Sequence, residues 1–338
     1  MAGGTVKKLL LTIFALLLAA AVAAALAWRS YDRFVSEPLD VPAAGAVFLV
    51  EPGLHGMAIV DGLAALGLTR SSWQWRLLMR LEPAVLKAGE YRVMPGSTPR
   101  SLLRLLASGQ VIHYRFTIVE GWTFAQLAER LRADPVLVHE IDLGEPYGWD
   151  PGTHFEGMAH AEGWFLPETY RFIRGDSDLD ILRRAHAALR EALDEAWSGR
   201  DTGLPVDSPY ELLILASIIE KETAREDERG RIAGVFVRRL LKGMRLQTDP
   251  TVIYGIGDAF DGDIRRRDLR TDTPYNTYTR HGLPPTPIAM PGRASLQAAA
   301  HPEEGEELYF VADGSGGHTF SRTLAEHQAA VDKLLGRN

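Results

Sequence analysis

The sequence predicts an α+β protein with an N-terminal transmembrane helix, a small α/β module and a larger mixed α+β domain. Three observations lead to this fold class: an uncharged apolar run near the N-terminus, a strand–turn–helix pattern that recurs, and a series of well-capped helices in the second half. The chain has 338 residues, enough for two folded domains at roughly 150 residues each. A hydrophobic content of 46% with 24% charged residues excludes a mostly disordered or collagen-like chain.

Composition also excludes several kinds of chemistry. The absence of cysteine rules out disulfides, thiolate metal sites and cysteine nucleophiles. The ten histidines are scattered, His139-Glu140 lacks the second histidine of an HExxH zinc site, and no G-x-S-x-G motif occurs. A net charge of −7 argues against broad nucleic-acid binding. We therefore expect no metal, no cofactor and no nucleic-acid partner.

Residues 9–28 form an uncharged run of 20 residues in which Thr12 is the one ordinary polar residue. As a helix, this run is long enough to cross a hydrocarbon core of about 30 Å. Lys7 and Lys8 precede it, which places residues 1–8 in the cytoplasm. Residues 29–338, with a charge of −9, are then expected beyond a bacterial inner (cytoplasmic) membrane, in the periplasm or otherwise outside the cytoplasmic membrane. A signal peptide cleaved near Ala23–Ala27 is the alternative, but its apolar region is usually only about 7 to 15 residues.

Residues 29–46 contain Pro38 and Pro42 without a sustained period and are predicted to be a linker. A strand, a glycine turn and an amphipathic helix then follow and recur 68 residues later. The matching positions are Phe48, Val50, Gly53, Ile59 and Leu63 in the first copy and Phe116, Ile118, Gly121, Leu127 and Leu131 in the second. A third variant begins at Tyr91, with Thr98 as helix cap and Pro99 at the first helical position.

The second half is predicted to be helical up to about residue 243. A helix with one solvated side covers residues 178–196, and Ser208-Pro209 with Glu211 predicts a capped helix through Thr223. A third helix contains Ile232 and ends at Gly243. Near the C-terminus, residues 308–312 and 318–320 flank a glycine-rich turn and predict a β-hairpin.

Glu220 carries the strongest chemical signal. In helical projection it lies on an apolar arc with Leu213 and Ala216, whereas Glu222 points about 160° away. A carboxyl group in apolar surroundings retains its proton more readily, which suits a general acid. The alternative is an interfacial glutamate that pairs with an arginine. The arginines available for that pairing are Arg238, Arg239 and Arg245.

Polar and aromatic side chains in two later loops, residues 247–251 and 273–278, are of the kinds that bind sugars. The alternative there is ordinary turn chemistry by Asp249 and Asn276. We interpret two Glu-Gly-Trp sequences, which begin at Glu120 and Glu162, as packing anchors. The arginines at 265–267 are expected to solvate a loop.

The combined motifs resemble the endolytic murein transglycosylase family MltG (YceG-like). The matching segments are Leu215-Ala216-Ser217-Ile218-Ile219-Glu220-Lys221-Glu222-Thr223, Gly243-Met244-Arg245-Leu246-Gln247-Thr248-Asp249-Pro250-Thr251-Val252-Ile253-Tyr254-Gly255, Tyr275-Asn276-Thr277-Tyr278, Gly282-Leu283-Pro284-Pro285, Phe310-Val311-Ala312-Asp313-Gly314 and Gly317-His318-Thr319-Phe320. They extend over most of the chain in the order that the residues alone predict.

The resemblance implies that Glu220 is the catalytic acid and base of a lytic transglycosylase. In that reaction one glutamic acid protonates the glycosidic oxygen between N-acetylmuramic acid and N-acetylglucosamine. The carboxylate then takes the proton of the muramoyl 6-hydroxyl, which closes to a 1,6-anhydro end. The implied substrate-binding residues are Gln247, Thr248, Asp249, Tyr254, Asn276 and Tyr278.

The resemblance also implies a LysM-like module at residues 47–112 and a YceG-like catalytic domain at residues 113–338, whose first part, 113–175, can pack as a second LysM-like unit. The membrane anchor implies action on nascent peptidoglycan strands, termination of their elongation, and penicillin-binding glycan synthases as partners. The turn from Glu51 to Gly56 lacks the Ser or Thr usual after Gly53, which weakens the case for glycan binding there. A non-catalytic glycan-binding envelope scaffold is the alternative function.

Overall fold

The protein has a mixed α+β fold in the computed structural model, which describes residues 2–143 and 149–336. Met1, residues 144–148 and residues 337–338, which fall in the predicted tail and catalytic domain, lie outside the described residues. The chain divides into two compact units, one formed by Met1–Tyr114 with Ile173–Gly175 and the other by Arg115–Phe172 with Asp176–Asn338. Each unit has its own elements and is described in turn.

The first unit contains four helices and two strands within its described residues. They are α1 (Ala2–Ser36), β1 (Ala46–Val50), α2 (Gly56–Ala65), α3 (Trp73–Leu81), β2 (Gly89–Val93) and α4 (Pro99–Ser108). The strands pair antiparallel, with Ala46 opposite Val93 and Val50 opposite Gly89. Thr98 caps α4 by accepting a hydrogen bond from the Ser101 N–H, as the sequence predicts.

Helix α1 includes the whole predicted apolar run, and its part from Val6 to Ser36 is long and apolar enough to cross a membrane. The predicted linker is wrong for residues 29–36, because α1 continues to Ser36. Tyr31 and Val35 in this last part are 3% and 1% exposed and pack in the core of the unit. Burial of these side chains, spaced four residues apart on one helix face, extends the helix beyond the apolar run.

A buried carboxylate joins residues 173–175 to the first unit. Arg174 donates from Nε to Glu90 Oε1 at 2.9 Å, and the Tyr114 hydroxyl donates to the other carboxylate oxygen. Glu90 lies on β2 and is 6% exposed. Because a buried carboxylate requires such partners, this pairing fixes the segment to β2.

The second unit contains seven α-helices, two short 3-10 helices (Pro151–Thr153 and Gly257–Ala259) and four strands among the residues described. The helices are α5 (Phe124–Arg132), α6 (Asp178–Gly199), α7 (Pro209–Glu222), α8 (Glu226–Leu241), α9 (Asp249–Ile256), α10 (Arg293–Ala300) and α11 (Leu324–Leu334). The strands are β3 (Tyr114–Thr117), β4 (Thr169–Phe172), β5 (Tyr309–Ala312) and β6 (His318–Ser321). β3 pairs with β4, and β5 pairs antiparallel with β6 in the predicted hairpin.

The predicted glycine turns after β1 and β3 both form. Gly53 and Gly121 adopt left-handed backbone conformations, with φ of 84° and 74°. Glycine enters this region without the steric cost that a side chain imposes. The recurring strand–turn–helix pattern is therefore present in both units, with β1 leading to α2 and β3 leading to α5.

Helix α7 is the centre of the second unit. Every residue from Leu212 to Ile219 is buried, and α7 packs against α6, α8, α9 and α10. Ser208 caps its N-terminus by accepting from the Glu211 N–H at 3.2 Å. A helix that is apolar on every side is buried on every side. Polar groups of α7 can therefore reach solvent mainly at its ends.

Candidate active site

Two glutamates at the C-terminal end of α7 leave the core in different directions. The Glu220 carboxylate meets the N-terminus of α10, and the Glu222 carboxylate meets the N-cap residue of α9, Thr248. Both side chains are half-buried. An apolar arc does not distinguish them in the structure, because α7 is enclosed on all sides as far as Ile219.

Glu220 is held by two hydrogen bonds to one carboxylate oxygen. The Ser295 hydroxyl donates to Oε2 at 2.7 Å and the Gly292 N–H donates to it at 2.9 Å. Gly292 is the N-cap residue of α10, so the carboxylate lies at the positive end of that helix. The predicted apolar setting is wrong: Glu220 has the partners of a carboxylate that stabilises a helix N-terminus.

The arginines considered as partners for Glu220 bond elsewhere, so the predicted ion pair is also wrong. Arg238 donates to the Glu307 carbonyl at 2.8 Å, Arg239 to the Leu308 carbonyl at 2.6 Å and Arg245 to the Tyr278 carbonyl at 3.0 Å.

Glu120 lies beside Glu220, which the interpretation of Glu120-Gly121-Trp122 as a packing anchor missed. Burial, followed by the negative charge of Glu220, raises the pKa of Glu120. The Glu120 carboxyl lies against the Cα atom of Gly292, so a side chain at position 292 would push this carboxyl aside. Lys221 donates to the Gly121 carbonyl at 3.0 Å and holds this turn against the end of α7.

Glu222 has the electrostatic character expected of a general acid. The buried Thr248 hydroxyl donates to its Oε1 atom. The pKa of Glu222 is raised to about 7 by the sum of several effects. Burial of the carboxyl is the largest and raises the pKa, the Thr248 hydrogen bond lowers it, and the nearby Asp249 charge raises it. His318 and Arg239 lower it through their positive charges. A carboxyl with this pKa is present in both protonation states near neutral pH.

Asp249 and Tyr278 form the exposed side of the Glu222 surroundings. The Tyr278 hydroxyl donates to Asp249 Oδ1 at 2.6 Å. Burial, the Asp249 hydrogen bond and the charges of Asp249 and Glu222 raise the pKa of Tyr278. Asp249 is therefore a second carboxylate near Glu222. The sequence analysis considered the helix face of Glu220, which has no second carboxylate.

A carboxylate–imidazole pair, Glu228 with His318, also lies near Glu222. His318 Nδ1 is 2.7 Å from Glu228 Oε2, and the His318 N–H donates to Glu228 Oε1 at 3.0 Å. Both side chains are mostly buried. The hydrogen bonds to Glu228 keep the His318 imidazole close enough for its charge to act on Glu222. The sequence analysis selected neither Glu228 nor His318.

The loop that supplies Thr248 is built by threonine hydroxyls. The Thr248 N–H donates to Thr277 Oγ1 at 3.1 Å, and the hydroxyls of Thr251 and Thr277 are 2.9 Å apart. Gln247, which precedes Thr248, has φ of 51° and an exposed side chain. This left-handed backbone is strained for a non-glycine residue, and such strain clusters at functional sites.

Asn276 shapes the same loop from inside. It is 1% exposed, and its amide donates to the carbonyls of Asp268 and Thr271 at 3.1 and 2.7 Å. Its carbonyl oxygen accepts from the Tyr278 N–H at 2.8 Å. The alternative interpretation, local turn chemistry, describes Asn276 in the structure, so direct sugar contact by this residue is not what the geometry favours.

Tyr254 points to a different carboxyl. Its hydroxyl donates to Glu162 Oε2 at 3.1 Å. Glu162 also accepts from the Phe124 N–H, at 3.0 and 3.1 Å to its two oxygens, and is 7% exposed. Burial raises the pKa of Glu162 and these hydrogen bonds lower it, and burial is the larger effect, so the resulting pKa is about 7. Tyr254 thus fixes α9 to the start of α5 rather than lining the Glu222 surroundings.

Other features of the described residues do not compete with this site. No group of three or more His, Asp or Glu residues there is arranged to hold a metal ion. The arginines at 265 and 267 pair with Asp261 and Asp268. A cleft of about 450 Å³ at the other end of α7, lined by Tyr210 and Leu283 among others, contains none of the predicted site residues.

The comparisons with known proteins identify the family. The model of the YceG-like family matches residues 48–333, most of the chain. The chain belongs to the YceG-like family. Within it, a Bacillus subtilis (strain 168) protein named endolytic murein transglycosylase is 30% identical over 323 residues, which cover 90% of this chain and 89% of that protein.

Two further YceG-like relatives agree with this assignment. An endolytic murein transglycosylase of Streptococcus pneumoniae (strain D39) is 28% identical over 283 residues, 72% of this chain and 51% of that protein. The crystal structure of the yceG-like protein lmo1499 from Listeria monocytogenes is 29% identical, with a TM-score of 0.54 over 84% of this chain and 98% of that one.

Proposed function

We propose that this protein is a membrane-anchored endolytic peptidoglycan lytic transglycosylase. It cleaves nascent glycan strands between N-acetylmuramic acid and N-acetylglucosamine, leaves 1,6-anhydro-N-acetylmuramic acid ends and thereby terminates strand elongation. The names of its relatives in B. subtilis and S. pneumoniae support the reaction class. The observation that carries the proposal is the Glu222 carboxyl, with its pKa raised to about 7 beside a polar, partly exposed loop.

Protonated Glu222 acts first as general acid. It gives its proton to the glycosidic oxygen, the bond from that oxygen to the muramoyl C1 breaks, and the electron pair leaves with the N-acetylglucosamine oxygen. Positive charge develops at C1. The Glu222 carboxylate, stabilised by the Thr248 hydroxyl and by the charges of His318 and Arg239, then accepts the proton of the muramoyl 6-hydroxyl, whose oxygen closes onto C1. One carboxyl therefore performs both proton transfers.

Glu222 suits this role better than Glu220, the residue that the family resemblance singled out. Glu220 uses its Oε2 atom to cap α10 through Ser295 and Gly292, which is a structural task. Glu222 has the raised pKa and lies among the loop residues predicted to bind substrate. The assignment of Glu220 as the acid remains the alternative, and matched variants separate the two.

Three of the six predicted substrate-binding residues keep that role in the proposal. Asp249 and Tyr278 lie near Glu222, and Gln247 precedes Thr248 with an exposed side chain, so they offer a carboxylate, a ring and an amide to the sugar. The other three act through the protein: Thr248 orients Glu222, Asn276 shapes the loop and Tyr254 fixes α9. These are positioning residues.

The test is product analysis with the full chain in detergent and uncrosslinked glycan strands. We expect mass spectrometry to find 1,6-anhydromuramoyl ends with the wild type. Glu222→Gln should lower kcat by at least about a thousandfold, the range in which loss of a general acid is felt. Glu220→Gln, its matched control, should stay within about tenfold of the wild type. The opposite result would return the acid role to Glu220.

Hydrolysis is the second candidate function, because Asp249 places a second carboxylate near Glu222. Hydrolases normally use two carboxylates, one of them as nucleophile or as activator of water. Their products have reducing muramoyl ends that are heavier by one water. Such products from the wild type would replace the transglycosylase assignment. Glycan binding without any product, unchanged in Glu222→Gln, would instead indicate the envelope scaffold.

The anchor and the envelope location belong to the same proposal. Helix α1 contains the single-pass anchor at residues 9–28, with residues 1–8 in the cytoplasm and residues 29–338 outside the cytoplasmic membrane. The module at residues 47–112 is LysM-like and positions nascent glycan, and the part from 113 to 338 is the catalytic domain, whose segment 113–175 packs as a second such unit. Penicillin-binding glycan synthases are the proposed partners, since they produce the strands at the same membrane.

A further inference from the structure

Helix α3 of the first unit exposes a face that is both apolar and basic. Trp73 is 47% exposed, Leu81 is 50% exposed, and Arg76 and Arg80 lie between them on the exposed side. These four residues are called the α3 outer face. The opposite side of α3 is buried through Trp75 and Leu78. An exposed face of this composition is typical of helices that lie in a membrane interface.

The segment that contains α3 is positively charged, whereas the chain as a whole is negatively charged. Residues 62–81 contain three arginines, Arg70, Arg76 and Arg80, and no acidic residue, whereas the chain as a whole has a net charge of −7. A basic segment is attracted to anionic phospholipid headgroups. The distribution therefore favours an anionic surface over a neutral or basic partner for this face.

Contacts with α1 place α3 at the level of the membrane surface. Gln74 Nε2 is 3.4 Å from Ser30 Oγ at the start of α3. At the end of α3, Glu82 pairs at 2.6 Å with Arg100, which also interacts with Tyr31. Ser30 and Tyr31 follow the apolar run, which ends at residue 28, by two and three residues, or roughly 3 to 5 Å along the helix axis.

The buried side of α3 contacts α1 farther from the apolar run than the two ends of α3 do. Trp75 packs edge-on against Phe34, with ring centroids 5.4 Å apart, and Phe34 lies about 9 Å beyond the end of the apolar run. Both ends of α3 contact α1 near the end of the apolar run, and its buried side contacts α1 farther from that run. The α3 outer face, on the opposite side of the helix, is therefore the side nearer to the end of the apolar run.

We propose that the α3 outer face docks onto the headgroup layer of the membrane leaflet that faces away from the cytoplasm. Trp73 and Leu81 enter the interface, and Arg76 and Arg80 contact anionic phosphates. This inference rests on the proposed membrane anchor. Docking makes the first unit a fixed platform on the bilayer, because α1 enters its core as a continuous helix and α3 contacts the same membrane.

The absence of cysteine allows a direct test with single labels. Leu81→Cys, Ser36→Cys and Leu17→Cys are labelled with an environment-sensitive fluorophore in the full chain. The proteins are reconstituted in phosphatidylethanolamine–phosphatidylglycerol liposomes that contain shallow nitroxide lipids. Ser36 is the matched control, because it is exposed and lies roughly 12 Å beyond residue 28 on the same helix. Leu17 reports insertion of α1.

We expect blue-shifted and strongly quenched fluorescence at positions 17 and 81, and water-like, weakly quenched fluorescence at position 36. Changing Arg76 and Arg80 together to glutamine should lower quenching at position 81 by about twofold or more in these liposomes, and less in phosphatidylcholine. Quenching at 17 with equal, weak signals at 81 and 36 would overturn the docking. A water-like signal at 17 would overturn the anchor and the docking with it. Neither readout depends on enzymatic activity.

Discussion

Two substitutions beside Glu222 should move the pH dependence of the reaction in opposite directions. Thr248→Val removes the hydroxyl that donates to the Glu222 carboxylate and so removes a contact that favours the charged form. The pKa of Glu222 then rises above about 7. Asp249→Asn removes a neighbouring negative charge that favours the protonated form, so the pKa of Glu222 falls.

The expected magnitudes follow from burial. A hydrogen bond to a charged group contributes about 1.5 to 3 kcal/mol, and one pKa unit corresponds to about 1.4 kcal/mol. Thr248 is 2% exposed, so solvent replaces its hydroxyl poorly, and we expect a rise of about one unit in Thr248→Val. Asp249 is exposed and its charge is screened, so a fall of about half a unit is expected in Asp249→Asn.

The assay is kcat/KM for release of 1,6-anhydro products from pH 5 to pH 9. The general acid must carry its proton in the free enzyme, so the wild-type rate constant should fall above about pH 7. This basic limb should lie near pH 8 in Thr248→Val and below the wild type in Asp249→Asn. Thr251→Val, whose buried hydroxyl donates to the Thr248 carbonyl at 2.8 Å, is the control and should leave the limb in place. Shifts of both site variants in one direction would refute the assignment of Glu222.

Three further predictions test the surroundings. Burial raises the folded-state pKa of Glu162 to about 7, so the unfolding free energy of the wild type should fall as the pH rises from 4.5 to 7. Glu162→Gln lacks this titration, so urea titrations should find that it gains up to about 3 kcal/mol relative to the wild type over this range. A difference that stays constant with pH would contradict this expectation. Gly292→Ala should change the melting temperature by about two degrees or less, since the added methyl group meets only the end of the flexible, exposed Glu120 side chain, which can move aside; a loss of several degrees would contradict this. His318→Gln should move the basic limb to higher pH, because the positive charge of His318 lowers the pKa of Glu222; a shift to lower pH would exclude this electrostatic role.

Local signals predicted much of the fold. The N-caps at Thr98 and Ser208, the helix end before Gly243 and the terminal hairpin depend on residues within a few positions of each other, and all of them form. The linker prediction failed at Tyr31 and Val35. Their burial depends on the packing of α1 against α3 and α4, which follow later in the chain, and a local period does not reveal this packing.

The candidate site shows the same division. The sequence located the end of α7 and the two loops, and the structure brings Thr248, Asp249 and Tyr278 to one carboxyl. The choice between Glu220 and Glu222 was not available from a helical projection, because that method assumes one apolar side and α7 has apolar neighbours on all sides. The surroundings of each carboxyl come from helices α9 and α10, far along the chain.

The two glutamates differ in function because they meet two helix N-termini in different ways. Glu220 receives a backbone N–H and a hydroxyl from α10 directly, so its carboxylate completes the hydrogen bonding of that helix. Glu222 receives the side chain of the α9 N-cap residue, while Asp249 at the first position of α9 opposes its charge. A half-buried carboxyl that accepts this hydrogen bond and lies next to another carboxylate can both give and retake a proton near neutral pH. That property, rather than the polarity of the helix face, is what a one-carboxyl transglycosylase requires.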